Sequence, residues 1–193
     1  MKIKPVFILS IALSLFLVSC VDGKKNPEGT ATTEDFATVT VPKEYSIRLP
    51  RSMQKTTALN SDASLQYQNI HDEIYTIIID EPKQEFVDAS RVLEYKEKSS
   101  IGLYRDIQLK RLSQRMDITY QSKPSKMTIS GLTTESVEID AKIDNIEEDL
   151  TYFLTFIEGN DKIYMIMSWT LKSKKQRFKN TFLTIVKSFK VSD

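Results

Sequence analysis

The chain has 193 residues, with 27 Lys and Arg against 26 Asp and Glu, 40% hydrophobic residues, one cysteine and one histidine. That composition is globular and excludes wholesale disorder, an internal disulfide and a multi-histidine or Cys/His zinc site. A net charge of +1, with no G-x-G-x-x-G or Walker pattern, excludes a basic field for nucleic acid and a glycine-rich phosphate cradle.

The first 20 residues carry the most specific signal. Lys2 and Lys4 give a positive start, and Val6 to Val18 is an apolar run broken only by Ser10, Ala12 and Ser14. Such a run is too short for a bilayer core, which takes about 20 helical residues. It fits the apolar region of a secretion signal. Leu17-Val18-Ser19-Cys20 then resembles the lipobox of bacterial lipoproteins. In that family cleavage precedes the cysteine, which receives a thioether-linked diacylglycerol and usually an acylated amine. The resemblance implies a signal peptide over 1–19, lipidation of Cys20 and attachment to a membrane. Each buried CH₂ contributes about 0.8 kcal/mol, so two or three chains hold stably where one does not. Taking Lys2 and Lys4 from the 27 basic residues leaves 25 against 26 acidic ones, a mature net charge of −1.

Residues 20–35 are expected to form the lipidated cysteine and a flexible tether. They contain Gly23, Pro27 and Gly29 and no aromatic residue, and they bury too little apolar surface to offset ordering. A tether of this length reaches about 20 Å. Val21 rather than aspartate follows the cysteine, which under the enterobacterial sorting rule favours the outer over the inner membrane.

Residues 36–193 remain for one folded domain. Tyr45 to Pro50 alternates and ends at proline, as a strand does. Ser64 to Ile70 and Ile74 to Asp80 read as two strands joined at His71-Asp72-Glu73, the second apolar on both faces and therefore central. Val87 to Arg115 turns helical, with a break near Ser99 to Gly102. Val137, Ile139, Ala141 and Ile143 alternate with polar residues and predict a half-exposed strand. Asp144 to Asp149 turns, and Leu150–Glu158 and Ile163–Leu171 follow as strands joined through Gly159-Asn160-Asp161. The last strand is apolar on both sides, which requires cover on both faces. Ser173-Lys174-Lys175-Gln176 is a capping-box pattern opening a helix. Phe178, Phe182, Ile185 and Phe189 then make one apolar stripe, so this C-terminal helix is amphipathic. The fold class is α+β, with a mainly antiparallel sheet between helical layers.

Tyr45-Ser46-Ile47-Arg48-Leu49-Pro50, the Ile129-Ser130-Gly131-Leu132 turn and the closing Tyr164…Trp169-Thr170…Phe182…Ile185-Val186…Ser188-Phe189-Lys190 resemble, in their order, the PsbP-like superfamily. Ser130 stands where that family usually has asparagine. The resemblance covers roughly Phe36 to Val191 and implies an αβα sandwich with a central, mainly antiparallel sheet. It also implies a non-catalytic binding or assembly role, since characterised members include an extrinsic photosystem subunit and a nuclear-transport GTPase binder.

Candidate chemistry is sparse. Ser52-Met53-Gln54-Lys55 matches S-x-x-K, but the partner motifs S-D-N and K-T-G are absent. His71-Asp72-Glu73 pairs a base with a carboxylate in a turn too tight for the two to meet. Asp140, Asp144, Glu147, Glu148 and Asp149 concentrate oxygen ligands that would suit Ca²⁺, without the EF-hand pattern. Lys172, Lys174, Lys175, Arg177 and Lys179 form a basic run at the start of a helix, where the macrodipole disfavours cations; this run is the candidate partner contact. No catalytic residue, cofactor or metal site is expected. The reading is a lipid-anchored protein-binding or assembly module of the cell envelope, held to the membrane through Cys20 and meeting an envelope protein rather than nucleic acid. A lipid-tethered small-ligand binder with a cleft between sheet and helix is the alternative, and an envelope hydrolase the third class.

Overall fold

The computed structural model describes residues 35–92 and 100–192. The expected signal peptide over 1–19, Cys20 and the expected tether over 20–35 lie outside the described residues, apart from Asp35. Two antiparallel sheets organise the rest. The smaller takes β1 (Phe36–Val41), β2 (Tyr45–Pro50) and, from the far end of the chain, β11 (Lys190–Val191), with β2 in the middle. The larger takes β3 (Gln54–Lys55), β4 (Leu65–Asn69), β5 (Ile74–Pro82), β10 (Lys162–Leu171), β9 (Leu150–Glu158), β8 (Leu132–Lys142) and β6 (Asp117–Gln121) in that spatial order. A further strand, β7 (Ser125–Ile129), pairs with the first half of β8, while β6 pairs with its second half.

Among the described residues, three α-helices complete two outer layers. On one face of the large sheet lie α1 (Lys83–Val92) and α2 (Ser100–Ser113), and on the other α3 (Lys175–Lys187) packs beside the small sheet. β10 serves both layers through its side-chain alternation: Ile163, Met165 and Met167 enter the core under α2, while Tyr164 and Ile166 enter the core under α3. The expected cover on both faces is thus present. The α+β class, the antiparallel central sheet and the C-terminal helix all stand as the sequence indicates.

Several boundaries move. Helix α1 begins at Lys83, directly after Pro82, because proline ends the ladder and fixes the turn into the helix. Strands β1, β6 and β7 appear where the sequence reading placed none. The expected capping box does not form: Lys172–Lys174 is a 3₁₀ turn, Lys174 precedes α3 in helical conformation, and no side chain caps it. The Ser173 N–H instead donates to Glu148 from the β8–β9 loop at 2.8 Å. The strand runs straight into the helical path, so Ser173 never adopts the extended geometry an N-cap needs.

Two turns rely on particular residues. At the β9–β10 turn, a Cβ on Gly159 would lie 2.9 Å from the Lys162 carbonyl oxygen and 3.0 Å from the Tyr164 ring, so only glycine fits. At the β7–β8 turn, Ser130 and Gly131 both take positive φ, 49° and 81°, as a type I′ hairpin requires. The strain at Ser130 is offset by its hydroxyl, which donates to the Phe189 carbonyl at 2.7 Å and ties the hairpin to the end of α3.

Candidate functional site

Helix α3 is the wall on which the candidate site is built, and both of its ends are fastened. Phe178, Phe182 and Ile185 are buried against the sheet, and burying a phenylalanine contributes about 2–3 kcal/mol. Just beyond its C-terminus Phe189 meets Tyr45 and Tyr164, with ring centroids 5.2 and 5.0 Å apart. The Arg48 N–H donates to the Ser188 hydroxyl at 2.8 Å, which in turn donates to the Ile185 carbonyl.

The N-terminal end is held by charge. Lys175 lies 2.5 Å from Glu138 and 3.3 Å from Asp140, and Lys179 lies 3.2 Å from the same Glu138. Lys172 bridges Asp140 and Asp149. Lys174 reaches Glu73 at 2.6 Å, and Arg177 reaches Asp72 at 3.4 Å while its guanidinium sits over the Phe178 ring. All five cations of the basic run therefore face acids of this same chain. Burial alone would raise the Asp140 carboxyl, but the Thr151 hydroxyl at 2.6 Å and Lys175 outweigh it and hold it below its ordinary value. Hydrogen bonding from Ser173 likewise holds Glu148 low.

This network also decides the acidic loop. Asp140, Glu148 and Asp149 turn to Thr151, Ser173 and the lysines, while Asp144 and Glu147 stay in solvent. Among the described residues no group of three or more His, Cys, Asp or Glu is placed to hold a metal ion. The strand expected to be half-exposed, Ser136 to Lys142, is more covered than its alternation suggests, because Asp140 is buried under Lys175.

The remaining candidates stay apart. Asp72 hydrogen-bonds Asn69 and pairs with Arg177 rather than orienting His71, which is exposed. Ser52 and Lys55 are both exposed, Ser52 in a turn and Lys55 on β3.

What the structure adds is a groove of about 400 Å³ between α3 and the β6–β7–β8 end of the large sheet. Its helical wall is Lys179, Asn180, Phe182, Leu183 and Val186. Its floor includes Phe153, Thr155 and Ser136, the two hydroxyls hydrogen-bonded at 3.0 Å. Tyr120, Ser122, Lys123, Ser125 and Met127 close the far side. The groove exists because α3 covers only part of its sheet face and no second helix lies beside it among the described residues. Phe182 and Lys179 are named from sequence for other roles, but the groove as a site was not legible there, nor were β6 and β7. Two signals were available: the β-branched and aromatic run Ile118-Thr119-Tyr120, and Leu183, which falls off the Phe178–Phe182–Ile185 stripe.

No family model matches the chain, and no curated protein matches it. Solved structures do. The solution structure of cyanobacterial PsbP (CyanoP) from Synechocystis sp. PCC 6803 superposes with a TM-score of 0.55 at 12% identity, over 88% of this chain and all of that one. The Ran-binding protein Mog1p of Saccharomyces cerevisiae gives 0.54 at 10% identity, over 82% of this chain and 96% of that one. A protein from Bacteroides thetaiotaomicron gives 0.50 at 9% identity, over 82% of this chain and 49% of that one. The fold is that of PsbP and Mog1p. At such identities the likeness is one of fold.

Proposed function

We propose that this chain is a lipid-anchored, non-catalytic protein-binding or assembly module of the cell envelope. The observation that carries the reading is the groove beside α3, a concave surface with a predominantly apolar lining. Elsewhere the residues that sequence offers for chemistry are exposed and apart or engaged with other partners: Asp72 pairs with Asn69 and Arg177 rather than His71, and Ser52 and Lys55 are exposed. Mog1p, of the same fold, is a Ran-binding protein, which makes a protein partner a natural occupant for such a module. The lipobox-like Leu17-Val18-Ser19-Cys20 supplies the anchor in this reading, with Val21 favouring the outer membrane, and the tether lets the domain reach its partner.

A second reading, a tethered binder of a small ligand, draws on the groove's volume, which falls in the range of small-molecule sites. The two separate in intact cells. Crosslinking at native expression, followed by purification and mass spectrometry, should recover a stoichiometric envelope protein with wild type and much less of it with Cys20→Ser. Recovery of the chain alone would contradict the protein-binding reading and leave the small-ligand reading in place.

A further inference from the structure

Five large apolar side chains are exposed on the described surface, and two of them, Tyr120 at 47% and Leu183 at 39%, line the same groove. With Met127 and Phe153 they give it a predominantly apolar interior. Its charge is one-sided. Glu138 is the single acid in the lining, and Lys175 and Lys179 already hold it. Lys123 has no acidic partner among the described residues, and Lys179 remains half-exposed. Lys187 follows Leu183 by four residues on α3 and so continues the same helical stripe with a further cation.

This charge pattern selects among occupants. A second copy packing through the same face would set one lysine-bearing groove against another, like charge on like, which costs affinity and specificity. A flat membrane does not fill a concave groove. We infer that the groove docks an acidic amphipathic segment of a protein partner. Its apolar residues pack on Leu183, Tyr120 and Met127, and its carboxylates meet Lys123 and Lys179. The inference rests on the protein-binding reading above and names the chemistry of the partner.

The test is selection of random peptides by display against the full chain purified in detergent, counter-selected on the Leu183→Glu variant. Leu183 lies on the solvent side of α3, so L183E should keep the wild-type melting temperature. The enriched peptides should carry two or more acids flanking apolar residues spaced by three or four positions. Their affinity should fall about tenfold with Leu183→Glu, as for an anchor at the centre of an interface. It should fall several-fold with Lys123→Glu, and more at low salt than at high salt. Enrichment of basic or uncharged peptides, no enrichment at all, or affinity indifferent to both variants would overturn the inference. So would concentration-dependent self-association that L183E abolishes, which would make a second copy the occupant. If no acidic peptide binds while crosslinking in cells still recovers an envelope protein, the groove assignment falls and the protein-binding reading stands.

Discussion

The two faces of the large sheet are covered by different physics. Under α3 the cover along the helix is apolar and aromatic, with ion pairs confined to its N-terminal end: Phe178, Phe182, Ile185 and Phe189 close over Tyr45, Phe153 and Tyr164. Under α2 it rests in part on directional polar contacts. Tyr104 and Gln108 both donate to Glu81 at 3.0 Å, Ser100 donates to Glu158 at 2.5 Å, and Arg105 pairs with Glu135, which is only 3% exposed. An apolar stripe tolerates an uncovered flank beside it, which is where the groove lies. Polar attachments fix one register and lose much when a single partner is removed.

Substitutions can break this comparison, and the largest effect is expected on the apolar side. Phe182→Ala should destabilise the protein by about 3–5 kcal/mol in urea unfolding, the usual cost of a large cavity. On the polar side Arg105→Ala should cost about 3 kcal/mol, because Glu135 is left buried with Lys126 at 3.9 Å as its remaining cation. The double replacement Arg105→Met with Glu135→Leu should recover most of that loss. If it recovers none, α2 is held by something other than this pair.

Alkaline titration probes both faces together. Burial raises the Tyr152 phenol from 10.0 to about 12, and burial raises Tyr45 and Tyr104 as well. Their pKa values are higher folded than unfolded, so the stability they contribute is complete below pH 10 and is lost as the pH rises, for Tyr152 between 10 and about 12. Tyr152 alone should account for about 2 kcal/mol across that window, and Tyr152→Phe should flatten the profile by that amount. A smaller effect is expected at the hairpin fastening α3. Ser130→Ala removes the bond to Phe189 and should cost about 1 kcal/mol, whereas Ser130→Asn, better suited to positive φ, should cost less. The smallest is Lys179→Ala, an exposed ion pair, which should shift stability by less than about 0.5 kcal/mol.

The same contrast explains what could be read from the sequence. Helix α3 was legible because Phe178, Phe182 and Ile185 repeat at helical spacing, and β9 and β10 because apolar runs flank a glycine turn. Its N-terminus was not, because the group that satisfies Ser173 comes from Glu148, 25 residues away. The basic run and the acidic loop were each visible as charge clusters, but only the fold brings them together as ion pairs. Strands β6 and β7 escaped because they are short, exposed edge strands in which Asp117, Gln121 and Lys126 mask the β pattern. With them went the far wall of the groove. Of that lining, Phe182 was in view as part of the apolar stripe, Val137 as part of a strand and Lys179 as a member of the basic run, whereas Leu183 was not singled out.

The most direct test of the groove as a docking surface is site-specific photo-crosslinking in intact cells. A photo-reactive side chain is placed at position 183, inside the groove, or at position 70, where Ile70 is 69% exposed on the β4–β5 turn. A docking groove should give one envelope protein joined from position 183 and not from position 70, with the crosslinked segment of that partner acidic and amphipathic. Equal capture from both positions, or none from position 183 while the chain remains folded and anchored, would contradict it.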